Sequence, residues 1–131
     1  MTLFQSLGSD GMDRRVTVGD IAKELECEVV AGKSCLDNEV SFGYSSDLLS
    51  DVMAGAGPGD VWVTVQVHQN IIAVASLTGI SAIIVAGGAA PADETVLRAN
   101  EEGIPLLTTA KPSFEVAGRL YSMGIRGRVK T

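Results

Sequence analysis

Residues 61–92 read VWVTVQVHQNIIAVASLTGISAIIVAGGAAPA and hold no Asp, Glu, Lys or Arg. A run this long is either a membrane span or the buried middle of an α/β domain. A spanning helix needs ~20 consecutive apolar residues in one helical pattern. Here the pattern changes within the run. Val61, Trp62, Val63, Thr64 and Val65 are β-branched or aromatic and predict a strand. Asn70 is a helix-capping residue type, and Ile71 to Leu77 predicts a short apolar helix closed by Gly79. Ala82 to Val85 predicts a second strand. Gly87 and Gly88 break it, and Pro91 suits the first turn of a new helix. Strand, helix, strand is the reading. Parallel strands covered on both faces are nearly continuous in apolar residues, which accounts for the missing charges. Gln66, His68, Gln69 and Asn70 in mid-run would be costly in lipid.

Working outward, the unit repeats. The helix from Pro91 runs through Leu97, Arg98, Glu101 and Glu102 and ends at Gly103. Ile104, Leu106 and Leu107 predict a third strand, and Ser113 caps a last helix through Met123 that Gly124 ends. Strand starts near Val61, Ala82 and Ile104 are about 21 to 22 residues apart, the spacing of a βαβ crossover. Upstream, Val18 to Leu25 predicts a helix, Cys27 to Ala31 a strand and Val40 to Gly43 a further strand. Ser46 and Asp47 open a helix through Met53. The expected fold is a single compact α/β domain with a mostly parallel sheet and flanking helices. Residues 1–15 read as a loose lead-in, rich in Gly, Asp and Ser, and 16–131 as the domain.

The whole-chain numbers set limits. The 131 residues suit one domain with a real core. A net charge of −6 argues against nucleic acid, which needs clustered Lys and Arg, and against anionic membrane surfaces. The basic residues Arg119, Arg126, Arg128 and Lys130 read as a helix C-terminus with a solvated tail. Cys27 and Cys35 form no C-x-x-C and have no histidine cluster, so no zinc site is expected; they suit a reduced, cytoplasmic protein. The start of the chain shows no secretion signal.

Ligands of open α/β sheets bind outside the carboxyl ends of the strands. Three junctions qualify here. The first offers Thr64, Gln66, His68 and Asn70. The second offers Gly87 and Gly88, whose backbone N–H groups ahead of a helix suit phosphate or carboxylate. The third offers Thr108 and Thr109. Each has a plainer reading: a tight turn for the glycines, a hydrogen-bonding loop residue for the lone His68. Asp47 and Asp51, spaced i, i+4, share a helix face and could reach Mg²⁺, or could simply stabilise the helix start. No Walker A loop, dinucleotide fingerprint, nucleophile elbow or catalytic cysteine signature is present, so neither a cofactor nor a catalytic residue is expected.

The order strand, amide-rich junction, apolar helix, strand, Gly-Gly, Pro, helix, strand, Thr-Thr resembles the DRTGG domain family. Ala86-Gly87-Gly88 stands where that family has Thr-Gly-Gly, and Val67-His68 where it has Asp-Arg. The resemblance spans about Thr17 to Gly124. Its most specific part is Tyr44 to Met53 with Thr64, Gln66, His68, Asn70 and Ala73-Val74-Ala75. It is strongest to small stand-alone members, some associated with iron-hydrogenase gene clusters, and extends to the N-terminal domain of HPr kinase. It implies an α/β fold, a homodimer and a regulatory or ligand-sensing role. With the three junctions as the pocket, the expectation is a noncatalytic regulatory domain that binds a small anionic metabolite or nucleotide. The alternative is a dimerisation or docking module for a partner enzyme, with no ligand.

Overall fold

The computed structural model describes residues 15–129. The charge-free run folds as strand, helix, strand: Asp60–Thr64, Asn70–Thr78 and Ala82–Val85. In chain order the elements are β1 (Val16–Thr17), α1 (Val18–Glu24), β2 (Glu28–Ala31), a 3₁₀ turn (Lys33–Cys35), β3 (Glu39–Val40), β4 (Phe42–Ser45) and α2 (Leu49–Gly55). Then follow β5 (Asp60–Thr64), α3 (Asn70–Thr78), β6 (Ala82–Val85), α4 (Asp93–Glu102), β7 (Leu106–Thr108), α5 (Ser113–Ser122) and β8 (Arg126–Gly127).

Six strands form one sheet in the order β2-β7-β6-β5-β4-β8, and β1 pairs with β3 in a separate ribbon. All pairs of the main sheet are parallel except β2 with β7. The sheet is covered on both faces, so the layers are helix, sheet, helix. On one face Val61, Val63, Ala82, Ile84 and Leu107 pack with Ile21 of α1 and with Val116 and Leu120 of α5. On the other, Trp62, Ile83, Val85 and Leu106 pack with Val52 of α2, Ile71, Ile72 and Ala75 of α3, and Ala99 of α4. Helix α3 lies between α2 and α4, so Ile71, Ile72, Val74 and Ala75 are all buried and the apolar helix is a core element. Among the described residues no helix is long and apolar enough to cross a membrane.

Several boundaries differ from the sequence reading. Val40 and Phe42 belong to different strands, because Val40 pairs with Val16 while Phe42 to Ser45 pair with Asp60 to Val63. Helix α2 starts at Leu49, beyond Ser46 and Asp47. Gln69, not Asn70, precedes α3; Pro91 lies just outside α4; Pro112, not Ser113, occupies the cap position of α5. The lead-in at residues 1–15 lies almost wholly outside the described residues. Helix α1 has a full capping box: the Asp20 N–H donates to Thr17 Oγ1 at 3.1 Å and the Thr17 N–H to Asp20 Oδ2 at 2.9 Å. Gly32, at φ 70°, sits where a Cβ would lie 2.3 Å from the Ile104 carbonyl oxygen, so both conformation and space demand glycine.

The tail is not a solvated basic strip. Arg128 Nε donates to both carboxylate oxygens of Asp60 at 3.0 Å, and its Nη2 donates to the Pro58 carbonyl at 2.9 Å. Asp60 is fully buried. The guanidinium also lies 4.8 Å from the Phe42 ring centroid, and its bond to Asp60 raises the Arg128 pKa further. Arg119 pairs with Glu115 one turn earlier, and Arg126 stacks on Tyr121 at 3.9 Å. Lys130 lies outside the described residues.

Candidate functional site

The parallel strands β4 to β7 bring their carboxyl ends to one edge of the sheet, as the sequence reading required. At the first junction most polar groups are engaged in holding the backbone. Thr64 is fully buried, donates its hydroxyl to Asp47 Oδ1 at 2.8 Å and accepts the Gln66 N–H at 3.1 Å. Asp47 Oδ1 also accepts the Val65 N–H at 2.8 Å, and Gln66 Nε2 donates to the Asp47 carbonyl at 2.9 Å. Trp62 Nε1 reaches the Ser46 carbonyl at 2.8 Å, and the Tyr44 hydroxyl donates to Asp51 Oδ2 at 3.0 Å. These bonds lock the β4–α2 turn against β5. Asp47 and Asp51 therefore share no helix face: Asp47 lies before α2 and clamps β5, while Asp51 faces Tyr44. His68 and Asn70 stand exposed beyond this network.

The second junction departs most from expectation. Gly87 and Gly88 take φ of 76° and 78°, consecutive left-handed residues that glycine adopts without strain. Their N–H groups are not bare. Gly87 donates to the Lys111 carbonyl at 2.8 Å and Gly88 to the Thr109 carbonyl at 3.0 Å. The pair stitches the second junction to the third, so it offers no amide cradle for phosphate. Helix α4 then opens with Asp93 and Glu94, which already answer its dipole with negative charge. At the third junction Thr109 Oγ1 accepts the Lys111 N–H at 3.2 Å, and Lys111 Nζ donates to the Leu25 carbonyl at 2.9 Å, capping α1.

Beside these stitched loops lies an open cleft of 480 Å³. That volume is within the ordinary range for small-molecule sites. It is lined by Gly88 to Pro91, Val96 of α4, Thr108 to Ala110, and Glu26, Glu28 and Val30 around β2. Because β2 is antiparallel to β7, its first residue comes to the carboxyl edge, and Glu28 sits directly across from Thr108. Glu26 occupies the position after the C-cap of α1 at φ 56°, where helices usually place glycine. Of the residues singled out in the sequence, Gly88, Thr108 and Thr109 line this cleft; Thr64, Gln66, His68, Asn70 and Gly87 do not. Glu26 and Glu28 were missed. The signal was present as Glu-Cys-Glu after a helix with no glycine stop, but its meaning depended on the direction of β2.

Cys27, between the two glutamates, is half-buried, and burial pushes its thiol pKa up against a smaller opposing pull from Lys111. Among the described residues no group of three or more His, Cys, Asp or Glu is placed to hold a metal ion.

A family model for the DRTGG domain matches residues 20–123. The chain belongs to the DRTGG domain family. Its fold is similar to that of the CBS and DRTGG domains of the regulatory region of Clostridium perfringens pyrophosphatase, in a crystal structure complexed with the activator diadenosine tetraphosphate. The TM-score is 0.67 at 18% identity, over 82% of this chain and 46% of that one. This DRTGG chain thus spans about half the length of that regulatory region. No curated protein matches it. Within the family pattern, the glycine pair has a backbone reason here: two successive left-handed residues tie two strand-end loops together. The residues that carried the resemblance at the first junction, Tyr44, Ser46, Asp47, Thr64 and Gln66, have a structural reason as well.

Proposed function

We propose that this DRTGG domain is a noncatalytic regulatory module that senses a small ligand in the cleft between β2, β7 and the start of α4. The observation that carries the reading is the cleft itself, at the carboxyl edge where open α/β sheets take ligands. Its lining includes no histidine, serine, cysteine or lysine, the residue types that the commonest nucleophile–base pairs use. Membership of a family represented in the regulatory region of a pyrophosphatase supports the same direction.

A nucleotide, as in the similar regulatory region, enters this proposal with a restriction. A phosphate in the cleft would face Glu26 and Glu28 and find the Gly87 and Gly88 amides engaged. The base and ribose are the parts of a nucleotide that suit this lining. The test is a thermal-shift screen with nucleotides, carboxylates, acyl phosphates, amines and guanidines, in the wild type and in Thr108→Val. A ligand that binds only the folded chain at ~100 times its dissociation constant adds ~2.7 kcal/mol. The proposal expects a saturable shift that Thr108→Val weakens and His68→Ala leaves intact. A shift that Thr108→Val leaves unchanged would place the ligand elsewhere.

A second reading, a dimerisation or docking module, has one observation in its favour. Leu48, Val65 and Phe114 are exposed around the same carboxyl edge, Phe114 at 90%. Sedimentation equilibrium of wild type and Phe114→Ser tests it: a dimer lost in the variant supports docking through this edge.

A further inference from the structure

We infer that residues 125–129 form a strap, latched by one guanidinium, that opens while the rest of the domain stays folded. The strap lies on the β8 side of the sheet, at the opposite edge from the cleft beside β2, so the inference stands apart from the ligand-sensing reading. Strand β8 has two residues, both exposed, and pairs with β4 alone. Gly127 has no side chain to bury, and the Arg128 N–H reaches the Gly43 carbonyl at a long 3.4 Å. Ile125 is the only buried residue of the segment. Gly124, exposed and at φ 96°, joins the strap to α5 in a conformation that suits glycine.

The latch is a built slot. Asp60 is fully buried, both its carboxylate oxygens accept from Arg128 Nε at 3.0 Å, and Arg128 Nη2 lies 2.9 Å from Oδ1. The Gly57 N–H donates to Asp60 Oδ2 at 2.9 Å and fixes the carboxylate from the other side. The Pro58 carbonyl and the Phe42 ring complete the surroundings of the guanidinium. A Cβ on Gly57 would lie 3.1 Å from Arg128 Cζ, so the missing side chain makes room for the flat group. Arg126 adds an exposed hold on the Tyr121 carbonyl and ring. With so little apolar area under β8, the slot is the main hold on the strap. A carboxylate buried without its cation is costly, which keeps the strap closed at rest. A second guanidinium in the slot favours the open strap, because a ligand shifts an equilibrium toward the state that binds it better. Ile125, Arg126 and Gly127 line a 230 Å³ groove between β4 and α5, so opening the strap bares that groove and the outer edge of β4.

The test is ¹⁵N relaxation of the wild type, Arg128→Ala and Gly57→Ala, with methylguanidinium as probe and tetramethylammonium as its control. In Arg128→Ala the order parameters of residues 126–129 should fall from near the ~0.85 of rigid backbone to below ~0.6, while β5, β6 and α3 keep wild-type values. Gly57→Ala keeps the arginine but crowds its slot, and should loosen the strap to a lesser degree with the same core unchanged. Methylguanidinium should raise the melting temperature of Arg128→Ala saturably, by refilling the slot, without restoring order to the strap. The wild type, whose slot is filled by Arg128, should show no such rise. A strap as rigid in both variants as in the wild type would overturn the latch. An equal rise with tetramethylammonium, or no rise with methylguanidinium, would overturn the slot as a guanidinium site. If Arg128→Ala unfolds throughout, Gly57→Ala decides: strap and core loosening together would overturn the strap as a separate unit, and the strap loosening alone would support it.

Discussion

Replacing Glu26 with glycine should make the protein more stable while removing a side chain that lines the cleft. Helix α1 ends in a Schellman arrangement: the Cys27 N–H donates to the Ala22 carbonyl at 2.9 Å and the Glu26 N–H to the Lys23 carbonyl at 3.3 Å. The residue after the C-cap must be left-handed, and Glu26 is, at φ 56°. It is the one non-glycine residue with positive φ among those described. A side chain with a Cβ costs roughly 1–2 kcal/mol there. Glycine removes that cost and adds about 0.5–1 kcal/mol of unfolded-state entropy. The net gain is about 0.5–1 kcal/mol. With an unfolding entropy of ~2.1 cal/mol/K per residue, that raises the melting temperature by about 2–4 °C for a chain of this length. Calorimetry of wild type, Glu26→Gly and Glu26→Gln separates the effects. Only the glycine variant should gain stability. A melting temperature lowered by Glu26→Gly would refute the reasoning. It would mean that the Glu26 side chain makes a stabilising contact outweighing its backbone cost.

Three further outcomes follow from the fold. Arg128→Ala leaves the buried Asp60 carboxylate without its cation and should clearly lower the urea midpoint, while Lys23→Ala at an exposed site should leave it nearly unchanged. Gly32→Ala combines left-handed strain with a Cβ 2.3 Å from the Ile104 carbonyl oxygen, and should fold only with the β2 end displaced, seen as a lowered melting temperature well beyond the ~1 kcal/mol of an ordinary αL alanine. The Cys27 thiol pKa is raised by burial, so the folded state holds its proton more tightly than the unfolded state. Its contribution is full below the ordinary thiol pKa of ~8.5 and is lost as pH rises through the folded value. Urea midpoints should therefore fall on the alkaline side, less steeply in Cys27→Ala.

The sequence was informative where periodicity and turn chemistry act locally. Val61 to Val65, Ile71 to Leu77 and Ala82 to Val85 each announced their element, and Gly79 and Gly103 take the left-handed C-cap conformation that their positions suggested. The absence of charge from 61 to 92 has the expected cause, since β5 and β6 are buried on both faces and α3 lies between two other helices. What was not legible depended on partners distant in the chain. Val40 and Phe42 read as one strand because nothing local says that Val40 will pair with Val16. The glycine amides read as free because their acceptors, the Thr109 and Lys111 carbonyls, lie more than 20 residues on. Glu26 and Glu28 escaped notice because only the antiparallel direction of β2 carries them to the carboxyl edge. Arg128 read as tail because its buried carboxylate is 68 residues away in the chain. The polar residues that stood out in an apolar run, Thr64 and Gln66, stood out because burial there demands partners; the partners proved to be the protein's own backbone and Asp47.

The most direct test of the ligand-sensing account is a ¹H–¹⁵N NMR titration of the wild-type chain with adenosine and, separately, with ATP. The account predicts saturable shifts concentrated at the amides of Glu28, Gly88, Ala89, Thr108 and Thr109. Saturable shifts at His68, Gln69 and Asn70 with the cleft amides unmoved would contradict it, and would return the site to the first strand junction.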